Sequence, residues 1–451
     1  MKTKPDLSFW KLFNLSFGFF GVQIAYALQT ANISRIFQTM GADPKTLSFF
    51  WVLPPLMGLV VQPFVGKWSD RTWCRLGRRV PYLIAGAAIA VVVMCLLPNI
   101  SHLSSIFWVA MLLGTIILML LDTSLNMAMQ PFKMMVGDMV NEHQKTKAYS
   151  IQSFLVNLGQ VVGSVLPFAL SYFGLSDDAS HGVPQSLTWS FYIGAAVLIL
   201  CVIYTCLNVH EMPPEVYAQY QAPQPEGSSD NASMFQLLKR APVAFWQVGL
   251  VQFFCWAGFL FLWNYTGGTI ADTIWNTTNE KSVEFQQAGN WVGVLFGVES
   301  VAAVLWAIVI PYFKTRKAAY SISILMGALG FASIPFITNQ YVLVLPFILI
   351  GCTWAAMLAL PFTIVTNALE GDPHIGTYLG LFNGTICVPQ IVAAVCGFGF
   401  MWVFEQVGLG MPAMMCVSAV LLLCGALMVF KIHETNGEDQ LNAASKEEAK
   451  A

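Results

Sequence analysis

Residues 105–137 read SIFWVAMLLGTIILMLLDTSLNMAMQPFKMMVG, and this run decides the class of fold. From Ser105 to Leu121 it carries no charge, and Asp122 is the only charged side chain between Ser101 and Phe132. A bilayer core takes about 20 predominantly apolar residues per helix, so the stretch reads as one membrane span with a single acid deep inside it.

The rest of the chain agrees. Of its 451 residues, 56% are hydrophobic and 10% charged, against about 25% charged in ordinary soluble domains. A net charge of −2 argues against nucleic acid as a partner. With 33 Phe, 14 Trp and 13 Tyr, disorder is ruled out for nearly the whole length. The ten cysteines lie in apolar runs, apart from Cys74 in a basic loop, and no C-x-x-C pair occurs. They read as small hydrophobes, with no disulfide framework or zinc site. The six histidines avoid the centres of the apolar runs, so neither a metal nor a haem cofactor is expected.

A 20-residue ruler gives twelve spans: 10–33, 46–66, 80–98, 105–137, 146–174, 187–209, 241–271, 287–313, 318–337, 341–369, 376–404 and 411–432. The run after Met1-Lys2-Thr3-Lys4 is long and lacks an A-x-A cleavage site, so it is the first span and not a removed signal peptide. The expected fold is an all-α membrane protein with 12 transmembrane helices in two six-helix halves, residues 1–209 and 241–432. Between them runs a cytoplasmic linker, 210–240, rich in Pro, Gly, Ser and acids (Pro213-Pro214, Pro223, Pro225, Gly227-Ser228-Ser229). Residues 433–451 form a cytoplasmic tail. With both termini inside, all but three of the 22 Lys and Arg fall on the cytoplasmic side, the exceptions being Arg35, Lys45 and Lys281. A weak internal repeat supports the two halves: Pro131-Phe132 fall on Pro361-Phe362, and Gln160 on Gln390, at one common offset.

An ionisable side chain within a span is costly and usually faces a polar cavity or a partner. Asp122 has company. At 100° per residue, Asn126 lies about 40° round the helix and Lys133 about 20°, while Gln130 borders the same face. Lys133 is roughly 16 Å along the axis, too far for direct contact with Asp122. Pro131 loosens the helix between them. This polar stripe suits a transport path, in which the carboxylate alternates between protonated and ionised states. The other reading is a carboxylate locked to a neighbouring helix for packing. Glu299 is the second intramembrane acid, alone between Phe285 and Phe313. Beside Gly293, Gly297 and Ser300 it suits a packing hydrogen bond as well as a functional role.

Gly66-Lys67-Trp68-Ser69-Asp70-Arg71 and Arg75-Leu76-Gly77-Arg78-Arg79 join spans two and three. Charges at such a turn can bridge helix ends in one conformation and release them in another, with Asp138 at the end of span four as partner. The simpler reading is a positive-inside anchor. Gln23, Tyr26, Gln29 and Asn32 on span one, Asn264 and Tyr265 on span seven, and Gln160, Asn383 and Gln390 on spans five and eleven are candidates for ligand contact or for interhelical hydrogen bonds. Trp256, Trp263, Trp291, Trp306 and Trp354 are candidate stacking surfaces or interfacial belts.

These motifs resemble a known family. Gly21-Val22-Gln23 with Ala27-Leu28-Gln29, Val61-Gln62-Pro63 with Gly66 and Ser69-Asp70-Arg71, and Gly77-Arg78-Arg79 with Pro81 carry the likeness in the first spans. Leu121-Asp122, Asn126, Pro131 and Asp138 extend it in span four, and Asn383 with Pro389-Gln390 in span eleven. The pattern resembles the sucrose–proton symporters of plants and their animal and bacterial relatives, in the glycoside–cation branch of the major facilitator superfamily. It is densest over residues 21–165. The resemblance implies the major facilitator fold and a disaccharide–proton symporter in which Asp122 binds the proton and contacts sugar. Beside Asp122, the candidate sugar contacts are Gln23, Gln29, Asn126, Lys133, Gln160, Asn383 and Gln390, and the candidate gating set is Gly66, Asp70, Arg71, Arg75, Arg78, Arg79 and Asp138. Lys133 stands where plant members carry arginine, losing its bidentate fork. Gln160 stands where they tend to have asparagine, and the acidic and aromatic cluster of span seven is largely replaced. The short termini and compact loops resemble a bacterial member, which makes maltose as plausible a substrate as sucrose.

The expected protein is a multi-pass monomer in the inner (plasma) membrane, needing no cofactor beyond the proton as coupling ion. Rival readings are a sodium-coupled glycoside symporter, or a sugar uniporter or exporter of the same fold. A membrane enzyme is disfavoured: the only Asp-Asp pair, Asp177-Asp178, has no third acid nearby, and no phosphate-cradling Gly-rich loop with Lys-Ser/Thr occurs. A non-transporting receptor has no use for a titratable residue on a polar stripe.

Overall fold

Proline and glycine punctuate a chain that is otherwise almost continuous helix. The computed structural model describes residues 4–100, 106–180, 182–213, 215–216, 219–220, 234–369 and 375–433. The linker residues Pro223, Pro225 and Gly227-Ser228-Ser229 and the tail 434–451 lie outside the described residues.

Helix α1 (Phe9–Thr39) starts where the Ser8 hydroxyl accepts the Lys11 amide and ends ahead of Gly41, at φ +98°. Its 31 residues span about 46 Å at 1.5 Å each, well beyond the expected 10–33. The expected second span, 46–66, is two helices, α2 (Pro44–Phe50) and α3 (Leu53–Arg71). The break precedes Pro54-Pro55, which have no amide hydrogens for the carbonyls of Phe50 and Trp51. There follow α4 (Val80–Leu96), α5 (Phe107–Met139), α6 (Glu142–Tyr172), α7 (Gln185–Asn208), the short α8 (Met234–Arg240), α9 (Val243–Thr273), α10 (Val283–Val309), α11 (Arg316–Ser333) and α12 (Val344–Ala368). The expected eleventh span is again broken, into α13 (Ile375–Phe382) and α14 (Gly384–Gln406), at Asn383. The last helix is α15 (Pro412–Val429).

Among the described residues, 11 helical segments are long and apolar enough to cross a membrane. Helix α1, with Gln23, Gln29, Asn32, Arg35 and Gln38 buried along it, is long enough, at 31 residues, to be the twelfth. Burial on α5 is what a lipid solvent requires. Leu112, Ile116 and Leu120 are 61%, 41% and 42% exposed at four-residue spacing, while Leu118, Leu121, Asp122 and Leu125 are buried.

Two compact units make up the molecule. Met1–Ser228 cluster with Trp263–Ser300, and Ser229–Leu262 cluster with Val301–Ala451. In the first unit, Gly159 and Gly163 of α6 lie against the backbone of α1 at Phe20 and Ile24, where a Cβ would collide. This small-xxx-small seam brings α1 close enough for its polar face to meet neighbouring helices. Phe19 of α1 stacks on Phe132 of α5 with ring centroids 5.2 Å apart.

Candidate functional site

Asp122 is 1% exposed. One carboxylate oxygen, Oδ1, accepts a short hydrogen bond from Gln29 Nε2 of α1. The other, Oδ2, has no hydrogen-bond partner, and neither has Gln29 Oε1. One turn along α5, Asn126 donates to the Asp122 carbonyl at 2.8 Å and its Oδ1 accepts from Gln62 Nε2 at 2.7 Å. Gln62 Oε1 in turn accepts from Lys133 Nζ at 3.3 Å. The stripe of Asp122, Asn126 and Lys133 is thus one connected chain, although its ends are too far apart to touch. Gln23, also on α1, donates to Met129 Sδ at 3.6 Å.

Gln62 is the link that sequence reasoning did not assign to the site. It stood in the quoted motif Val61-Gln62-Pro63, but a position on α3 that bridges two α5 side chains is invisible without the packing of α3 on α5. Gln160 is half-buried on α6 and makes no hydrogen bond to a described residue. Asn383 and Gln390 belong to the second unit. Asn383 Nδ2 reaches Cys387 Sγ at 3.8 Å, and Gln390 donates to its own helix at the Ile386 carbonyl, 3.1 Å away. Glu299 is 5% exposed on α10 and hydrogen-bonds to no described residue.

The five tryptophans named from sequence are held by neighbours. Trp263 stacks on Trp51 and Trp291 stands edge-on to Phe168. In the second unit Trp256 and Trp354 meet edge-to-face at 5.4 Å, and Trp306 donates to Ser323 at 2.8 Å.

The charged turn between α3 and α4 forms a second cluster. Arg79, 2% exposed, gives its Nε to Asp138 Oδ2 at 3.0 Å and its Nη1 to Ser69 Oγ and, at 3.5 Å, to the Gly66 carbonyl. Arg78 Nη2 meets the same Asp138 oxygen at 2.8 Å. Arg71 and Arg75 are exposed and engage no described carboxylate. The side chain of Asp70 lies outside the described residues. The missing player is Glu211, just beyond α7, whose carboxylate accepts the amides of Arg78, Arg79 and Val80 at 3.1, 2.8 and 2.9 Å. It caps the N-terminus of α4 as an anion should. Gly77, at φ +111°, lets it in: a Cβ there would lie 2.5 Å from Glu211 Oε1.

The sequence profile of the Major Facilitator Superfamily matches residues 15–394. The chain belongs to that superfamily. Among major facilitator proteins it is similar to sucrose transport protein SUC4 of Arabidopsis thaliana, 26% identical across 83% of this chain and 81% of the relative. Sucrose transport protein SUT5 of Oryza sativa subsp. indica is 24% identical across 92% and 86%. Among solved structures, the nucleoside transporter NupG superimposes with a TM-score of 0.66 at 16% identity, over 95% of this chain and 99% of that one. That likeness speaks for the fold alone. This major facilitator protein is therefore a multi-pass membrane protein with sucrose-transporter-like sequence.

Proposed function

We propose that this chain is a proton-coupled symporter that takes up a disaccharide of the alpha-glucoside class, sucrose or maltose, across the plasma membrane by alternating access. The coverage of two sucrose transport proteins over most of their length supports sugar as the substrate class. The observation that carries proton coupling is the pair of buried oxygens without donors, Asp122 Oδ2 and Gln29 Oε1. An unmet buried polar atom is costly, and one proton on the Asp122 carboxyl supplies the missing donor. The ionised acid keeps only the bond from Gln29 Nε2.

In this reading both termini are cytoplasmic, and residues 1–209 and 241–432 are the two halves that rock. Protonation of Asp122 from outside satisfies the site, and sugar hydroxyls bond to Asn126, Gln62 and Lys133. The halves then exchange access, and proton and sugar leave inward. Gln23 and Gln160 are further sugar contacts. Glu299 has no step in this cycle. The Arg78–Arg79–Asp138 cluster holds one end of the path shut and is released in the other state. One elementary charge crossing the membrane is worth about 2.3 kcal/mol per 100 mV, enough to concentrate sugar with one proton each.

Uptake of labelled sucrose and maltose into proteoliposomes, under an inward proton gradient, an equal sodium gradient or neither, tests the proposal. Accumulation driven by protons and lost in Asp122→Asn, with sugar exchange retained, is the expected outcome. Accumulation with sodium alone, or unchanged accumulation in Asp122→Asn, overturns it.

A further inference from the structure

At the far end of α1 from Ser8, Arg35 is 4% exposed, although it is one of three basic residues on the side expected to be outside. Its Nε donates to Gln286 Oε1 at 2.6 Å and its Nη1 to Asn290 Oδ1 at 2.8 Å, with Asn32 Oδ1 at 3.5 Å. Its Nη2 has no hydrogen-bond partner. Asn290 Nδ2 donates to Asp177 Oδ1 at 3.0 Å, and Asp177 also accepts the hydroxyls of Ser171 and Ser186. Gln286 Nε2 donates to Thr39 Oγ1 at 2.9 Å and to the Glu280 carbonyl at 2.7 Å. The Arg35 stem lies over Gly289, where a Cβ would lie 2.5 Å from its Cδ. A second layer runs alongside: Trp51 donates to Ser34, Ser34 to Asn264, and Asn264 to Ser48.

All these contacts lie inside the first unit. They tie α1 and α2 to the first turns of α10, the last turns of α9 and the loop between α6 and α7. A buried guanidinium is a poor device for packing alone, because apolar side chains of similar volume serve as well without desolvating a charge. Here the guanidinium is held by neutral amides, and the one acid is reached through Asn290. Such bonds break at lower cost than a direct buried ion pair, and the spare Nη2 donor is free for a new partner. Gln29, which holds Asp122, sits six residues away on the same helix, about 9 Å along its axis.

We propose that the Arg35–Gln286–Asn290–Asp177 network is the gate at the end of the path opposite the Arg79–Asp138 cluster, made and broken once per cycle, with Arg35 as its central positioning residue. The inference rests on the alternating-access reading but needs neither the sugar nor the coupling ion to be right.

Hydrogen–deuterium exchange of the full chain in lipid nanodiscs, without substrate, tests it. Arg35→Gln is expected to speed exchange at residues 34–39 and 283–290 at least tenfold and, reciprocally, to slow it at residues 79–83 and 136–140. Gln286→Leu deletes the acceptor of Arg35 Nε together with the Nε2 bonds to Thr39 and Glu280, and is expected to shift both regions the same way as Arg35→Gln. Loosening confined to residues 34–39 and 283–290 would make the network a packing clamp and overturn the gate, as would unchanged exchange everywhere. Should Arg35→Gln fail to fold, Gln286→Leu and Asn290→Ala carry the same reciprocal test. A chain with reciprocal shifts but no sugar uptake keeps the gate and loses the symport reading.

Discussion

Asp122 and Gln29 show how much one hydrogen bond leaves undone. The amide satisfies one carboxylate oxygen and leaves two oxygens, one on each side chain, facing no donor. Removing the acid therefore tests the coupling, while the neighbouring residues test substrate contact. Gln62 bridges Asn126 and Lys133 through both ends of its amide. Gln62→Leu keeps the volume and deletes both bonds, each worth about 1 kcal/mol. The expected result is an apparent KM for sugar raised about tenfold with proton dependence intact, read from initial uptake rates. An unaltered KM would return Gln62 to helix packing. That Asn126 and Lys133 share a face with Asp122 follows from helical periodicity; that Gln62 and Gln29 complete the chain follows only from which helices lie alongside.

At the scale of elements, caps and breaks place these side chains. Pro54-Pro55 divide the second crossing and Asn383 divides the eleventh, so neither is the single uninterrupted helix that apolar length suggested. Hydropathy windows see residue type but not the missing amide hydrogens that end α2 ahead of Pro54-Pro55. The N-terminus of α4 shows the same point. Its three leading amides are answered by Glu211, which lies more than 130 residues later. Glu211→Ala leaves those amides without their anion, a loss of about 1–3 kcal/mol. Exchange at Arg78, Arg79 and Val80 is expected to speed by about one to two orders of magnitude, measured by hydrogen–deuterium exchange. Unchanged rates would mean that solvent caps α4 equally well.

At the scale of the whole molecule, the distribution of charge makes a directional statement. With both termini inside, all but three of the 22 Lys and Arg are expected on the cytoplasmic side, where loops rich in Lys and Arg are retained. Lys281, exposed between α9 and α10, is expected on the opposite side. A Lys281→Cys variant is expected to react with a membrane-impermeant maleimide in intact cells, whereas the exposed Cys74 of the Arg-rich turn reacts only after permeabilisation. The reverse pattern would invert the orientation and with it the direction of transport.

Composition and apolar run length alone determined that this is an all-helical membrane protein with about twelve crossings, because a bilayer accepts few other arrangements of backbone. They also singled out Asp122, since a lone charge in a span is conspicuous in any sequence. The tertiary structure alone decided which partners meet. Glu211 on the Arg78–Val80 amides and Arg35 among Gln286 and Asn290 join residues more than a hundred positions apart. No local periodicity encodes such pairings; they arise when glycine seams let helices approach and buried polar atoms find whichever donors and acceptors that approach supplies.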